Sequence, residues 1–460
     1  MSEVDFASGE RVEAVQATKL RGLLAHAAAT VPYYSDLFAR LDIDLNDCDP
    51  LAVLRELPVL TKADIEANFP DRILSGGRRP ISARHVTTSG TTSDRIEVVL
   101  TVAAQHWRHA QQLWADEVGG GCTPGLRRLE IPPDACSRVC GQDGGRPDGL
   151  VAEMRWAARR SSRPARAVAD SLARRAREAL RTRILNDTTL PPLLGPEGTA
   201  ATVEVVRQHV ELIEREDPYL LSGLPTYLQE IARYLQRTGR RLRVPVVRPI
   251  GSVSSARMKR FVGENLGAEV FETYGSNELG CAACECQAHN GLHVAASCFV
   301  VEILRDGRPA RPGELGRIAV TCLDNYSMPL IRYDIGDVGR WYPAGCKCGR
   351  NTPLIECNGR LQGLLITSSG APVTEEQIMD LAYFDLGLEH FQLVERRPGQ
   401  FDLMVVAAPE GTADMRTVRE AFAHLLDEPE RLEVFPVETI YPEATGKFRF
   451  VKSASYERFG

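Results

Sequence analysis

Between Val203 and Gly280 the chain switches repeatedly between helical and extended periodicity, and this alternation limits the fold more than any other feature. The runs Tyr219-Leu220-Leu221-Ser222-Gly223, Val246-Val247-Arg248-Pro249-Ile250-Gly251 and Glu269-Val270-Phe271-Glu272 are short and rich in apolar residues. Segments with apolar residues at helical spacing separate them. Strand and helix in turn predict a largely parallel sheet covered by helices, an α/β protein. Upstream, apolar residues around Leu20, Leu23, Leu24 and Ala27 predict two helices between Glu10 and Leu41, broken at Val31-Pro32. Thr61 stands before Lys62-Ala63-Asp64 as a helix N-cap. His85 to Thr88 and Ile96 to Thr101 read as strands on either side of a small polar turn. The stretch Gly119 to Pro147 has no period and reads as loop. Short strands and tight turns dominate Val300 to Tyr342, and a fresh strand and helix pattern begins after Gly359, which puts a boundary near Arg360.

A chain of 460 residues exceeds one ordinary core, so two domains of unequal size are expected, 1–360 and 361–460. Hydrophobic residues make up 43% and charged residues 25%, the balance of a globular chain. A net charge of −6 gives no general attraction to nucleic-acid phosphates, and the basic run Arg155 to Arg183 is interleaved with Ala and Leu as on a solvated helix face. No apolar run is long enough for a bilayer, and Met1-Ser2-Glu3-Val4-Asp5 lacks the order of a signal peptide. A cytoplasmic protein, with neither nucleic acid nor membrane as partner, is the expectation. In such a chain the 12 cysteines read as buried thiols or metal ligands rather than disulfides.

Four segments carry chemistry. Ser89-Gly90-Thr91-Thr92-Ser93 gathers hydroxyls and a glycine on one turn, where N–H and O–H groups can converge on phosphates, as they also do in ordinary polar turns. Phe271-Glu272-Thr273-Tyr274-Gly275-Ser276-Asn277-Glu278 sets an aromatic, a hydroxyl and a carboxylate at a strand end, where ligand sites collect. Arg332-Tyr333-Asp334-Ile335-Gly336-Asp337 places carboxylates beside a turn, suited to the two hydroxyls of a ribose or to a salt-bridged turn. Ala444-Thr445-Gly446-Lys447 offers a lysine on a glycine loop.

In this order the segments resemble the adenylate-forming superfamily, in particular the phenylacetate-CoA ligase and coenzyme F390 synthetase-like family. Leu24-Ala25-His26-Ala27 to Val31-Pro32-Tyr33-Tyr34, Leu57-Pro58-Val59-Leu60-Thr61-Lys62 and Met328-Pro329-Leu330-Ile331-Arg332-Tyr333 extend the likeness over nearly the whole chain. The resemblance implies a large N-terminal adenylation domain, with β-sheets flanked by helices, and a small mobile α+β C-terminal lid. By the same resemblance Ser89, Gly90, Thr91, Thr92 and Ser93 form the phosphate loop; Glu272, Thr273 and Tyr274 lie beside adenine, with Ser252 in the nucleotide site. Glu278 helps bind magnesium, Asp337 holds the ribose hydroxyls, Arg340 and Arg360 match further positions of the ATP site, and Lys447 bridges carboxylate and α-phosphate. The acyl pocket is expected around Gly223, Tyr227, Gly251 and Gly275. Two positions depart from the family pattern: Ser93-Asp94-Arg95 stands where the loop normally continues with Gly and often Lys, and Gln362 occupies the usually acidic hinge position.

Cys281, Cys284 and Cys286 precede His289 and His293, and Cys346-Lys347-Cys348-Gly349 forms a C-x-C knuckle much later. Two thiolates of the knuckle with Cys286 and His293 would complete a closed tetrahedral zinc site, with Cys284 or His289 as alternative ligands and free buried thiols as the plain alternative. Some members of the resembled family carry such a zinc. Cys298, Cys322 and Cys357 read as core residues in strands.

The resulting expectation is an ATP- and Mg2+-dependent ligase that adenylates a small aromatic acid of benzoate or phenylacetate type and passes the acyl group to coenzyme A. Transfer to a carrier protein, an amine or a hydroxyl is the first alternative, and a non-catalytic nucleotide- or acid-binding relative the second. A second copy of the chain, in a homodimer, completes the partners considered.

Overall fold

The computed structural model describes residues 1–45, 48–79, 83–87, 96–132, 186–191, 193, 202–343, 345–407, 414–441 and 448–459. Five helices open the chain: α1 (Ser2–Asp5), α2 (Gly9–Thr30), α3 (Pro32–Leu41), α4 (Pro50–Glu56) and α5 (Lys62–Asn68). Pro32 sits in the first turn of α3, where its missing N–H costs nothing, so the proline that ends α2 also starts α3. Thr61 caps α5 in a full capping box with Asp64. A hairpin of β1 (Arg84–Thr87) and β2 (Glu97–Leu100) then leads into α6 (Val102–Val118).

Next comes a five-stranded, wholly parallel sheet of order β4-β3-β5-β6-β7. Its strands are β3 (Arg128–Ile131), β4 (Asp187–Thr189), β5 (Leu220–Gly223), β6 (Val246–Pro249) and β7 (Glu269–Val270), with α7 (Val203–Glu216), α8 (Pro225–Thr238) and α9 (Ala256–Leu266) between them. Every residue of β5 and β6 is buried, which is why both read as unbroken apolar runs rather than alternating ones. Leu129, Val210, Leu221, Leu228, Val247 and Val262 form the centre of its core. β3 corrects the expectation of loop throughout Gly119 to Pro147. Its Arg128-Leu129-Glu130-Ile131 has too few apolar residues to read as a buried strand, because Arg128 enters the interior paired to buried Asp116 at 2.8 Å. The expected strand Glu269 to Glu272 also ends early, at Val270.

An eight-stranded antiparallel sheet follows: β8 (Thr273–Ser276), β9 (Gly280–Glu285), β10 (Leu292–Val294), β11 (Phe299–Arg305), β12 (Arg308–Pro309), β13 (Gly316–Cys322), β14 (Tyr333–Trp341) and β15 (Leu354–Arg360), in the order β12-β11-β13-β14-β15-β10-β9-β8. The two opening helices α2 and α3 close one face of it through Leu20, Leu24, Tyr34 and Phe38. Cys322 and Cys357 lie in its strands, whereas Cys298, also expected in a strand, sits in the turn before β11.

Most residues of a further core follow Leu361 in the chain, with Val253 packed among them. The pair β16 (Leu365–Ile366) and β17 (Pro372–Val373) precedes α10 (Glu375–Asp380), and β18 (Leu388–Arg397), β19 (Gln400–Ala407), β20 (Arg431–Pro436) and β21 (Val451–Lys452) form a sheet of order β20-β19-β18-β21 behind α11 (Met415–Leu425). Phe391, Leu393, Leu403, Val418 and Phe422 are its interior. The residues from Leu361 onward meet the rest of the chain through apolar contacts, Phe261 against Phe384 and Leu315 and Val338 against Leu361, Leu364 and Phe459, and through polar ones. Arg257 pairs with Asp385 at 2.7 Å and stacks on Phe384, and Arg233 lies over Tyr383 while donating to the Leu388 and Glu389 carbonyls. Among the described residues no helix is long and apolar enough to cross a membrane.

Candidate active site

The site grows from the point where the parallel sheet hands the chain to the antiparallel one. β7 ends at Val270, the fully buried Phe271 anchors the crossing, and β8 starts at Thr273, so Glu272 to Glu278 is fixed at both ends by core. Gly275 is required there: a Cβ would stand 2.1 Å from the Gly280 carbonyl oxygen across the β8–β9 pair. On the next wall β14 and β15 place Asp337 directly opposite Arg360.

Asp337, Arg360, Tyr274, Glu278 and Tyr333 converge. The Arg360 guanidinium meets Asp337 at 3.2 Å and also donates to the Ile335 carbonyl at 3.1 Å. The Tyr274 hydroxyl donates to the other Asp337 oxygen at 3.1 Å, and the Tyr333 hydroxyl donates to Glu278 Oε1 at 3.3 Å. Burial pushes the Asp337 carboxyl up, and Arg360 and the Tyr274 hydroxyl pull it back. Arg360 is itself held protonated by Asp337. Asp337 is thus a buried acceptor preset by two donors, suited to hydroxyl groups of a ligand.

Glu278 is buried, and among the described residues no cation lies within ion-pair distance of it; its side chain accepts from the neutral Tyr333 phenol. A buried carboxylate with no ion-pair partner suits a bound cation. Glu272 sits 3.5 Å from Lys259, but that ammonium is held closer by Glu285 at 3.0 and 3.1 Å. Burial therefore carries the Glu272 carboxyl up to about 7, whereas Glu285, although buried too, is kept low by His289 and Lys259.

The other expected residues divide. Gly223 closes β5, Tyr227 is buried on α8, and Gly251 (φ +80°) and Ser252 are exposed just beyond β6. Arg340 points along β15 to Glu356 at 3.5 Å and Asn358 at 3.3 Å, not to the Asp337 pair. A β-bulge between Asp337 and Gly339 separates the two neighbourhoods. Ser89, Gly90, Thr91, Thr92, Ser93, Asp94, Lys447 and the run Arg155 to Arg183 lie outside the described residues. Arg108 and Gln111 on α6, which the motifs do not include, line a small cavity with Glu278. Their helical spacing gave no signal, because only the tertiary packing of α6 brings them there.

A second constellation stands where the ends of β9 and β10 meet the segment before β15. One ligand atom each from Cys286, His293, Cys346 and Cys348 lie within 4.8 Å of one another. Cys286 and Cys346 sulfurs are 3.4 Å apart, and Cys348 Sγ is 3.3 Å from His293 Nε2. His293 Nδ1 faces the Thr352 hydroxyl at 3.1 Å, which directs Nε2 inward. Burial lowers the His293 pKa to about 4, so the ring is neutral and able to ligate at neutral pH. The Cys348 amide N–H reaches Cys346 Sγ at 3.5 Å and the Ala288 amide reaches Cys286 Sγ at 3.4 Å. Of the alternative ligands, Cys284 donates to the Ala115 carbonyl and His289 pairs with Glu285 and Glu269. The donor set is that of a closed tetrahedral metal site.

The fold is that of acyl-adenylate-forming ligases. No family model matches it. It is 25% identical over 419 residues to the phenylacetate-coenzyme A ligase of Escherichia coli, spanning 88% of this chain and 84% of that one. It is 23% identical over 414 residues to the phenylacetate-coenzyme A ligase of Thermus thermophilus, spanning 87% and 82%. Among solved structures, 2-hydroxyisobutyryl-CoA ligase in the postadenylation state superposes with a TM-score of 0.69 at 16% identity, covering 98% of this chain and 91% of that one. The chain is thus similar over most of its length to phenylacetate-coenzyme A ligases and shares the fold of an acyl-adenylate-forming ligase.

Proposed function

We propose that this enzyme uses ATP to adenylate an aromatic carboxylic acid and passes the acyl group to coenzyme A. The observation that carries the reading is the convergence of Tyr274, Asp337, Arg360 and Glu278 at the junction of the two sheets. Similarity to phenylacetate-coenzyme A ligases over most of both chains supports the acid and the thiol acceptor.

In this reading Asp337 accepts from the ribose hydroxyls, Tyr274 and Thr273 flank adenine, and Glu272 faces its exocyclic amine. Ser89 to Ser93 cradle the phosphates, and Lys447, on a lid of residues 361–460, neutralises the carboxylate and α-phosphate as they meet. Glu278 would hold Mg2+, which supplies positive charge to the departing pyrophosphate. Gly223, Tyr227, Gly251 and Gly275 bound the acyl group, with Ser252 and Arg340 at the edge of the nucleotide. Cys286, His293, Cys346 and Cys348 hold a structural zinc that ties β9 and β10 to the knuckle before β15.

A second acceptor, such as an amine or a carrier thiol, is favoured by one observation: Gln362 places a neutral amide at the lid junction, where the family pattern is usually acidic. Pyrophosphate release with a panel of aryl carboxylates, with and without coenzyme A and with products followed by mass spectrometry, separates these readings. Acid-dependent release lost in Lys447→Ala supports adenylation. A thioester formed only with coenzyme A supports the first acceptor, and an adenylate that persists in its presence supports the second. No release with any acid would overturn the proposal.

A further inference from the structure

The turn that carries Glu278 rests on α6. Arg108 donates to the carbonyl of Asn277, the residue before Glu278. Gly280 closes the turn at φ +89°, and a Cβ there would stand 2.4 Å from Gln111 Oε1 and 3.3 Å from Arg108 Cγ. Only glycine lets the helix approach so closely. Gln111 is 1% exposed, and its Oε1 has no hydrogen-bond partner among the described residues. Arg108, Gln111, Glu278 and Leu279 share the wall of one small cavity. Burial lowers the Arg108 pKa to about 10, which still leaves it charged at neutral pH. An unpartnered buried amide oxygen and a desolvated guanidinium are costly groups to keep in a core with no role for them.

We propose that Arg108 and Gln111 are positioning residues for Glu278, holding the 277–280 turn so that its carboxylate meets the divalent cation carried by the nucleotide. The inference rests on the reading of Glu278 as that cation's ligand. Arg108 acts in two ways. Its donor fixes the backbone just before Glu278, and its charge lies beside the same cavity without being close enough to neutralise the carboxylate in an ion pair. Gln111 Oε1 is left free to accept from a water of the cation's shell.

The experiment is equilibrium binding of Mn2+ in the presence of α,β-methylene-ATP, read by the electron paramagnetic resonance of free Mn2+. Arg108→Met, Arg108→Lys, Glu278→Gln and the double variant Arg108→Met/Glu278→Gln are compared with the wild type. Loss of a residue that supports a metal ligand weakens binding about 10-fold or more, and this is the change expected for Arg108→Met, with a smaller one for Arg108→Lys. The double variant is expected to bind no more weakly than Glu278→Gln alone, because both changes act through one carboxylate. The Mg2+ concentration for half-maximal pyrophosphate release should rise in parallel while the KM for the carboxylic acid stays unchanged. Weakening in Glu278→Gln but not in Arg108→Met, or additive losses in the double variant, would overturn the assignment of Arg108 alone. Unchanged Mn2+ binding in Glu278→Gln would instead remove the role of Glu278 and the proposal with it. If Arg108→Met fails to fold, Arg108→Lys carries the same comparison, since an ammonium keeps the charge and loses the planar fork.

Discussion

Asp337 and Arg360 occupy opposed positions on β14 and β15, and their side chains meet at 3.2 Å where one is buried and the other half-exposed. The arginine therefore does two jobs: it balances a buried carboxylate, and it leaves part of its own surface turned toward solvent and any ligand. Arg360→Ala would strand Asp337 with only the Tyr274 hydroxyl. We expect kcat/KM for ATP in acid-dependent ATP–pyrophosphate exchange to fall about 100-fold, with Arg360→Lys between that value and the wild type. An Arg360→Ala enzyme with normal ATP dependence would show that the pair is structural only.

Glu272 gives the fold a pH dependence whose sign follows from its environment. Burial raises its carboxyl to about 7, and Lys259, engaged by Glu285, lowers it less than burial raises it. A carboxyl with a raised folded-state pKa favours the fold while protonated. Its contribution is complete below the ordinary value of 4.5 and is lost as pH rises through about 7. The loss amounts to a few kcal/mol at most, on the order of 3 from the size of the shift. Thermal melts of wild type and Glu272→Gln between about pH 5 and 8 should show the wild type losing stability across this window relative to the variant. Parallel curves would assign the dependence to other groups.

The four-residue cluster predicts a metal content. Purified protein should carry close to one zinc per chain by elemental analysis, and Cys348→Ser or Cys286→Ser should lower both zinc content and Tm. Cys284→Ser should keep the zinc, because that thiol is turned away to the Ala115 carbonyl. Zinc retained in Cys348→Ser and lost in Cys284→Ser would invert the ligand assignment.

Sequence and structure agree where local pattern and tertiary environment coincide. The parallel sheet was legible because β5 and β6 are buried on both faces and so contain little but apolar residues. The α2–α3 break was legible because proline marks it, and the convergence of Cys286, His293, Cys346 and Cys348 because of the spacing of the thiols. β3 was not legible, since its Arg128 is buried by a partner, Asp116, that lies on another element. Arg340 and Arg360 look alike in sequence, but a bulge in β14 sends one to Glu356 and the other to Asp337. The buttress of Glu278 from Arg108 and Gln111 was equally hidden, because long-range packing alone creates it.

The N-terminus is fastened to the knuckle by a residue that composition alone would place on the surface. Asp5 is 3% exposed, and its carboxylate accepts from the Trp114 indole N–H at 2.7 Å and faces Arg350 at 3.4 Å. Its carbonyl accepts from the Asn351 amide at 2.7 Å. Burial raises the Asp5 carboxyl, opposed by the Trp114 donor and by Arg350. Arg350 and Asn351 follow Cys348 closely, so one residue links α1, α6 and the Cys/His cluster. Asp5→Ala leaves the Trp114 N–H and Arg350 without their acceptor, at a cost of about 1–3 kcal/mol. Asp5→Asn keeps an acceptor and should cost less. Denaturant melts of the two variants should therefore rank wild type above Asp5→Asn above Asp5→Ala, with the m-value unchanged. Equal stability of all three would mean that the clasp forms without contributing to the fold.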